Sequence, residues 1–445
     1  MHLEPGDTAW VLAATAMVLL MTPGLAFFYG GMVRSKSVLN MLMMSFFTIG
    51  IVSVLWTIFG YGLAFGDSGS GLIGALDWSH LGSLVNSLPN NGGEYPIPEL
   101  SFSAFQLMFA VITPALISGA IADRTKLFAW GVFVAIWVTI VYFPVAHWVF
   151  DFGTKHADGS ITGAGWLAAR GVLDFAGGTA VHINAGAAGL ALAIVLGKRV
   201  GFGRTPMKPH NLPLVLIGAG LLWFGWFGFN AGSSLGANAT AALALMNTQV
   251  ATAAALLGWL LVERIRDGHA TSLGAASGAI AGLVAITPAC AYVAPWAAVV
   301  IGLIAGGICS AAVALKYRLG FDDSLDVVGV HLVGGIVGCL SIGFFGSTAV
   351  NALGANGIFY GGGVALLGKQ ALGVVAVGGY SFIVTLLLGY AIKFTIGFRI
   401  SEADEAEGID ITEHLELAYE LNRFGSGGYL GDRKFSAQEK TSVTR

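Results

Sequence analysis

Two histidines stand in stretches almost without other polar side chains. His182 lies in LDFAGGTAVHINAG (173–186) and His331 in DVVGVHLVGGIVG (326–338). An imidazole can donate a hydrogen bond, accept one, or carry a proton near neutral pH. Amid Gly, Ala and Val, each ring would be a buried unsatisfied group unless it meets a polar partner or a passing solute. That favours a pore lining. A structural histidine bonded to one backbone carbonyl is the blander use, and it is the one favoured for His147. Metal ligation is a rival, but no intramembrane Cys or carboxylate stands at ligand spacing, so neither a metal nor another cofactor is expected. Asp174 precedes His182 by eight residues, about two helical turns. Asp326 precedes His331 in the same way, at shorter range. Each acid reads as a helix-start cap, and Asp174 also as an attraction for cations.

Aromatic residues form the second group. LLWFGWFGFNAGSS (221–234) sets Trp223, Trp226, Phe227 and Phe229 among glycines and ends near Ser233; Phe105, Gln106 and Phe109 open another stretch, and HWVF (147–150) closes a third with Trp148 and Phe150. Rings at span ends commonly form an interfacial belt. They can also hold a small cation as it loses water. The pattern alone leaves both uses open.

The elements that position these residues are membrane helices. Of 445 residues 56% are hydrophobic and 11% charged, against about 25% charged in a soluble domain. A soluble enzyme, a secreted disulfide domain and a disordered chain are excluded. The 65 glycines follow no collagen period and suit close helix packing in lipid. A net charge of -3 offers no nucleic-acid surface. Cys290, Cys309 and Cys339 read as small buried apolar residues. Eleven stretches are long enough to cross a bilayer: 9–33, 39–65, 102–122, 127–150, 175–197, 211–232, 238–262, 271–289, 294–315, 327–346 and 366–394. Met1 to Asp7 has no basic region, so no cleaved signal is expected. Basic residues follow the odd spans: Arg34 and Lys36, Arg124 and Lys126, Lys198 to Lys208, Arg264 and Arg266, Lys316 and Arg318, and Lys393 onward. The positive-inside rule then sets the N-terminus outside and the C-terminus in the cytoplasm of a multi-pass cell-membrane protein.

Eleven parses as five plus five plus one. An odd unit repeated re-enters from the opposite side, which gives an inverted repeat with a pathway between the halves. Thr113-Pro114-Ala115 and Thr287-Pro288-Ala289 fall in the third and eighth spans, and the two histidines in the fifth and tenth; coincidence is the competing explanation. The expected organisation is a transmembrane domain over 1–395, a regulatory tail over 396–424 and a disordered extension over 425–445. Ser401–Tyr419 mixes acids with Ile409, Ile411, Leu415 and Leu417, as a segment docked on basic loops would.

The chain resembles the ammonium transporter (Amt/Mep/Rh) family, in its bacterial Amt branch. The resemblance rests on PGLAFFYGGMVRSKSVLN (23–40), DFAGGTAVHINAG (174–186), GWFGFNAGS (225–233), GAIAGLVAITPACAYV (278–293), DDSLDVVGVHLVGGIVG (322–338) and GFRISEADEAEGIDITEHLELAY (397–419). It implies an all-α fold of eleven helices in an inverted five-plus-five repeat plus a final helix, and a homotrimer with one pore per subunit. It implies that Phe109, Phe150 and Ser233 recruit ammonium outside, with Phe150 where the family usually has Trp. Phe109 and Phe229 become the gate, Trp226 flanks the pore, His182 and His331 are its twin histidines, and Asp174 supports the site. Ammonia, with or without its proton, then passes inward to feed nitrogen assimilation. A PII-type signal protein is the expected cytoplasmic partner. Three other functions share these residues: an ammonium sensor signalling through the tail, a membrane metalloenzyme, and an unselective cation transporter.

Overall fold

Inside a bilayer every backbone amide must be bonded within the protein, so long apolar stretches become helices. The computed structural model describes residues 2–67, 69–76 and 80–419. Its long helices are α1 (Pro5–Met32), α2 (Val38–Phe65), α3 (Glu99–Ile121), α4 (Leu127–Phe150), α5 (Gly178–Leu196), α6 (Leu212–Gly232), α7 (Ala239–Asp267), α9 (Pro295–Leu319), α10 (Val328–Phe345) and α11 (Ala365–Thr395). These ten are long and apolar enough to cross a membrane. The segment expected as an eighth span over 271–289 is the shorter helix α8 (Ser272–Ile286). It stops there because Thr287 is followed by Pro288, which has no N–H to continue a helix. Helix α7 runs five residues beyond its expected end at 262, through Arg264 and Arg266 to Asp267. A small hairpin, β1 (Thr154–Lys155) antiparallel to β2 (Ile161–Thr162), interrupts the otherwise helical chain. The expected extension 425–445 and the end of the expected tail, 420–424, lie outside the described residues.

Helices α5 and α10 form the centre, with α11 packed along α5. Glycine sets their separation. A Cβ on Gly186 would collide with the backbone N of Leu332, and one on Gly335 would stand 3.0 Å from the Gly178 carbonyl oxygen. Both positions therefore need hydrogen in place of a side chain.

One face of the bundle is tied by charge. Arg199 donates to both carboxylate oxygens of Asp322 at 2.9 Å and to Asp123 at 3.1 Å. Arg34 also reaches Asp123, at 3.5 Å, and Glu405 of the tail at 3.7 Å. Arg399 pairs with Glu405 at 2.7 Å. Further along the tail, Asp410 accepts the N–H groups of Leu39 and Asn40. It thereby caps the start of α2 from 370 residues away. Tyr419 meets His210 at 2.9 Å. The tail up to Tyr419 thus lies against the loops that follow α1, α3 and α5.

Burial alone would raise the Asp322 carboxyl, but the Arg199 hydrogen bonds and the Arg124 charge outweigh it and hold it below the usual aspartate range. A depressed folded-state pKa contributes stability above the ordinary aspartate value and loses it as pH falls through the folded one. The network should therefore hold at neutral pH and loosen only in acid. Replacing Arg199 with Leu removes the nearest cation from two buried carboxylates and leaves Asp123 with Arg34 at 3.5 Å and Asp322 with Arg124 at 4.0 Å, at a cost of up to about 3–5 kcal/mol. Thermal unfolding of the purified protein should show a clear drop in midpoint for Arg199→Leu at neutral pH. An unchanged midpoint would show that the network carries no stability.

Candidate functional site: a histidine pair beneath stacked rings

The site begins with the starts of α5 and α10. Helix α5 opens with a wide π-helical turn over Gly178–Ile183, and α10 with one over Val328–Leu332. Such turns widen the helix and leave N–H groups to be satisfied. Asp174 accepts four backbone N–H groups, from Gly177, Gly178, Thr179 and Ala180, as well as the Thr179 hydroxyl. On α10 that part falls to Asp323, which accepts from Val327 at 3.0 Å and Val328 at 2.7 Å. The expectation that Asp326 caps this helix is corrected here. Its backbone sits at φ 64°, and its carboxylate pairs with Lys316 at 2.7 Å. Asp323 is the true counterpart of Asp174, eight residues before its histidine in each case. That spacing was the signal available in the sequence.

The two turns bring His182 and His331 together. Their Nδ1 atoms are 3.4 Å apart and their rings stack at 24°. This is a long hydrogen bond. The His182 ring also stacks on Trp226, with centroids 5.4 Å apart. Trp226 is fixed by its indole N–H, which donates to the Thr287 hydroxyl at 2.8 Å. The end of α8 at Thr287-Pro288 thus positions the Trp226 ring against His182. His182 Nε2 is buried and has no hydrogen-bond partner among the described residues.

Next to the histidines is an aromatic stack. Phe229 lies 6.1 Å from the His182 ring, and Phe109 stacks on Phe229 at 4.2 Å and 22°. Phe150 meets Phe109 edge-on at 6.3 Å. Ser233 donates to the Phe229 carbonyl at 2.8 Å, so its hydroxyl lies one turn from the same ring. Phe109, Phe150, Phe229, Trp226, His182 and His331 therefore form one continuous series of rings. Trp148 takes no part. Its indole donates to Leu72, and its ring packs on Tyr380 and Trp166. His147 is a buried structural residue whose Nδ1 lies 3.0 Å from Asp151 and 3.2 Å from the Ala64 carbonyl. No group of three His, Cys, Asp or Glu among the described residues could hold a metal.

A bundle of ten long apolar helices around a buried series of aromatic and histidine rings defines a polytopic membrane protein. The family model described as Ammonium Transporter Family matches residues 9–419. An ammonium transporter of Mycobacterium tuberculosis is 55% identical, covering 97% of this chain and 93% of the relative. One from Bacillus subtilis is 46% identical, over 94% of this chain and 99% of the other. The crystal structure of Saccharomyces cerevisiae Mep2 aligns with a TM-score of 0.81 at 34% identity, covering 90% of this chain and 91% of that one. The chain belongs to the ammonium transporter family.

Removing the Asp174 carboxylate leaves four buried N–H groups without partners. Charge-assisted bonds of this kind are each worth about 1.5–3 kcal/mol. Asp174→Ala should therefore unfold at a distinctly lower temperature than the parent, by more than Asp323→Ala, which frees two N–H groups. Equal melting of all three proteins would deny the caps their role.

Proposed function

We propose that the protein carries ammonium across the membrane, admitting the cation on the side away from the tail and releasing it on the tail side. The observation that carries this reading is the His182–His331 contact with a partnerless Nε2, set beneath stacked phenylalanines. Phe109, Phe150 and Ser233 recruit ammonium by cation–π attraction and a hydrogen bond. Phe109 and Phe229 leave no room for a hydration shell. Losing water in an apolar passage is costly for any cation, and it favours the neutral form of an amine. Ammonium can respond by breaking an N–H bond, whose electron pair stays on nitrogen as ammonia. The proton passes to His182 Nε2. The Nδ1 proton of His182 then moves to His331 Nδ1, and His331 releases its own Nε2 proton toward the tail. Both rings are neutral at rest, since a charged imidazole there would lack solvation. Potassium has no proton to give and no hydrogen bond to donate.

The arginines and lysines that follow the odd spans share the tail's face, and the positive-inside rule makes that face cytoplasmic. Asp174 and Asp323 fix the two pore helices without lining the path. The protein acts as a homotrimer in this reading; the resemblance to the family supports it, and Gln249, exposed within the apolar helix α7, supports a subunit contact there. An amide facing lipid is unfavourable, whereas facing another subunit it can be bonded. A PII-type protein would dock on the tail face. None of these roles requires enzymatic chemistry.

The test is flux into vesicles holding purified protein and an internal pH dye. An ammonium gradient should drive a protein-dependent response, and an equal potassium gradient none. Phe229→Ala should remain folded yet lose most of this ammonium response, because the dehydrating stack is gone. Parental flux in that variant would show that the stack does not control passage.

A further inference from the structure

Phe150 is the last residue of α4, and the chain leaves the helix at Asp151. The final carbonyls of a helix have no partner within it. For Phe150 the partner is Asn91, from the loop between α2 and α3. The Asn91 side-chain N–H donates to the Phe150 carbonyl at 2.8 Å, and its Oδ1 accepts the Phe152 N–H at 2.5 Å. An asparagine amide holds a donor and an acceptor, so it brackets Asp151 as a neighbouring strand would. Asn91 is 8% exposed, and buried partners of this kind are costly to leave unpaired. The next residue continues the contact, since the Gly92 N–H donates to the Gly153 carbonyl. Gly92 lies at φ 75°, and a Cβ there would stand 2.9 Å from the Phe152 Cβ. Glycine suits both the backbone conformation and the close approach.

The loop that carries Asn91 is itself anchored at the start of α3. The Ser87 hydroxyl donates to Glu99 Oε2 at 2.6 Å, and the Ser87 carbonyl accepts the Glu99 N–H at 3.0 Å. Tyr61 of α2 donates to Glu99 Oε1 at 3.0 Å. Glu99 opens α3, and α3 carries Phe109. One strap over 87–99 therefore fixes the start of the helix that bears Phe109 and grips the backbone of Phe150. The edge-on contact of these two rings, at 6.3 Å, depends on both ends of that strap. We infer that Asn91 is a positioning residue that holds Phe150 against Phe109 and so sets the concentration at which ammonium is recruited, without acting in its passage. The inference rests on the reading of Phe150 as a recruitment ring. Asn90 supplies an internal control. It makes the same two-point bond to Lys155, at 2.9 and 3.1 Å, but five residues past the ring.

The test is ammonium-driven flux into vesicles holding the full-length protein, measured over a concentration series that separates half-saturation from maximal flux. Asn91→Ala should raise the half-saturating concentration about two- to fivefold, the worth of one partly exposed contact between a ring and a cation. Its maximal flux should stay at the parental value. Gly92→Ala pushes the same strap off Phe152 without removing a polar side chain, and should shift half-saturation in the same direction. Asn90→Ala loses as many bonds in the same loop and should match the parent. Phe150→Ala should raise half-saturation by itself, and adding Asn91→Ala to it should raise it no further. Parental half-saturation in both Asn91→Ala and Gly92→Ala, or a fall in maximal flux alone, would overturn the positioning role. So would an equal rise in Asn90→Ala, or a further rise in the double variant. Parental half-saturation in Phe150→Ala would overturn the recruitment reading itself, and the inference with it.

Discussion

Two imidazoles in contact at the crossing of α5 and α10 impose conditions on much of the surrounding structure. A Nδ1–Nδ1 separation of 3.4 Å requires the helix backbones to come close, and Gly186 and Gly335 allow that approach. It also requires the helix starts to be held while their first turns are wound wide. Asp174 and Asp323 do this from just outside the spans. The ring faces need support as well, and Trp226 gives it to His182 through a bond to Thr287. Each of these features serves a contact that would cost free energy if its polar atoms had nothing to bond.

In the proposed function the aromatic stack addresses a different difficulty. Ammonium and potassium are close in size and equal in charge, so a field of fixed charges separates them poorly. A dry passage separates them by chemistry, because only one can shed a proton and continue as a neutral molecule. Phe109 and Phe229 lie face to face next to the histidines, with Phe150 edge-on beyond them. Phe150 is the ring that reaches this stack, whereas Trp148 is turned toward Trp166 and Tyr380. In the proposed function recruitment thus falls to a phenylalanine, a weaker cation partner than tryptophan.

Much of this was legible in the sequence. Apolar length located ten of the eleven expected spans, because a bilayer leaves helices almost no alternative. The rarity of histidine in such stretches singled out His182 and His331. What could not be read was three-dimensional in origin. Asp323 and Asp326 both precede His331, and only the wide turn at Val328 decides which carboxylate reaches the free N–H groups. The end of α8 at Ile286 follows from Pro288, a local signal, yet the use of Thr287 to hold Trp226 depends on a partner 61 residues away. Long-range caps such as Asp410 on α2 leave no local pattern at all.

In the proposed function the histidine pair lets a proton through while denying passage to a bare cation. Replacing either ring with a carboxylate keeps a proton-active group but adds a fixed anion that can stabilise a desolvated metal ion. The most direct measurement is the reversal potential of reconstituted protein under paired ammonium and potassium gradients, for the parent, His182→Asp and His331→Asp. The parent should carry ammonium-dependent current with no potassium contribution, and both variants should shift toward the potassium potential. Parental selectivity and current in both aspartate variants would contradict the account and leave the histidines as packing residues.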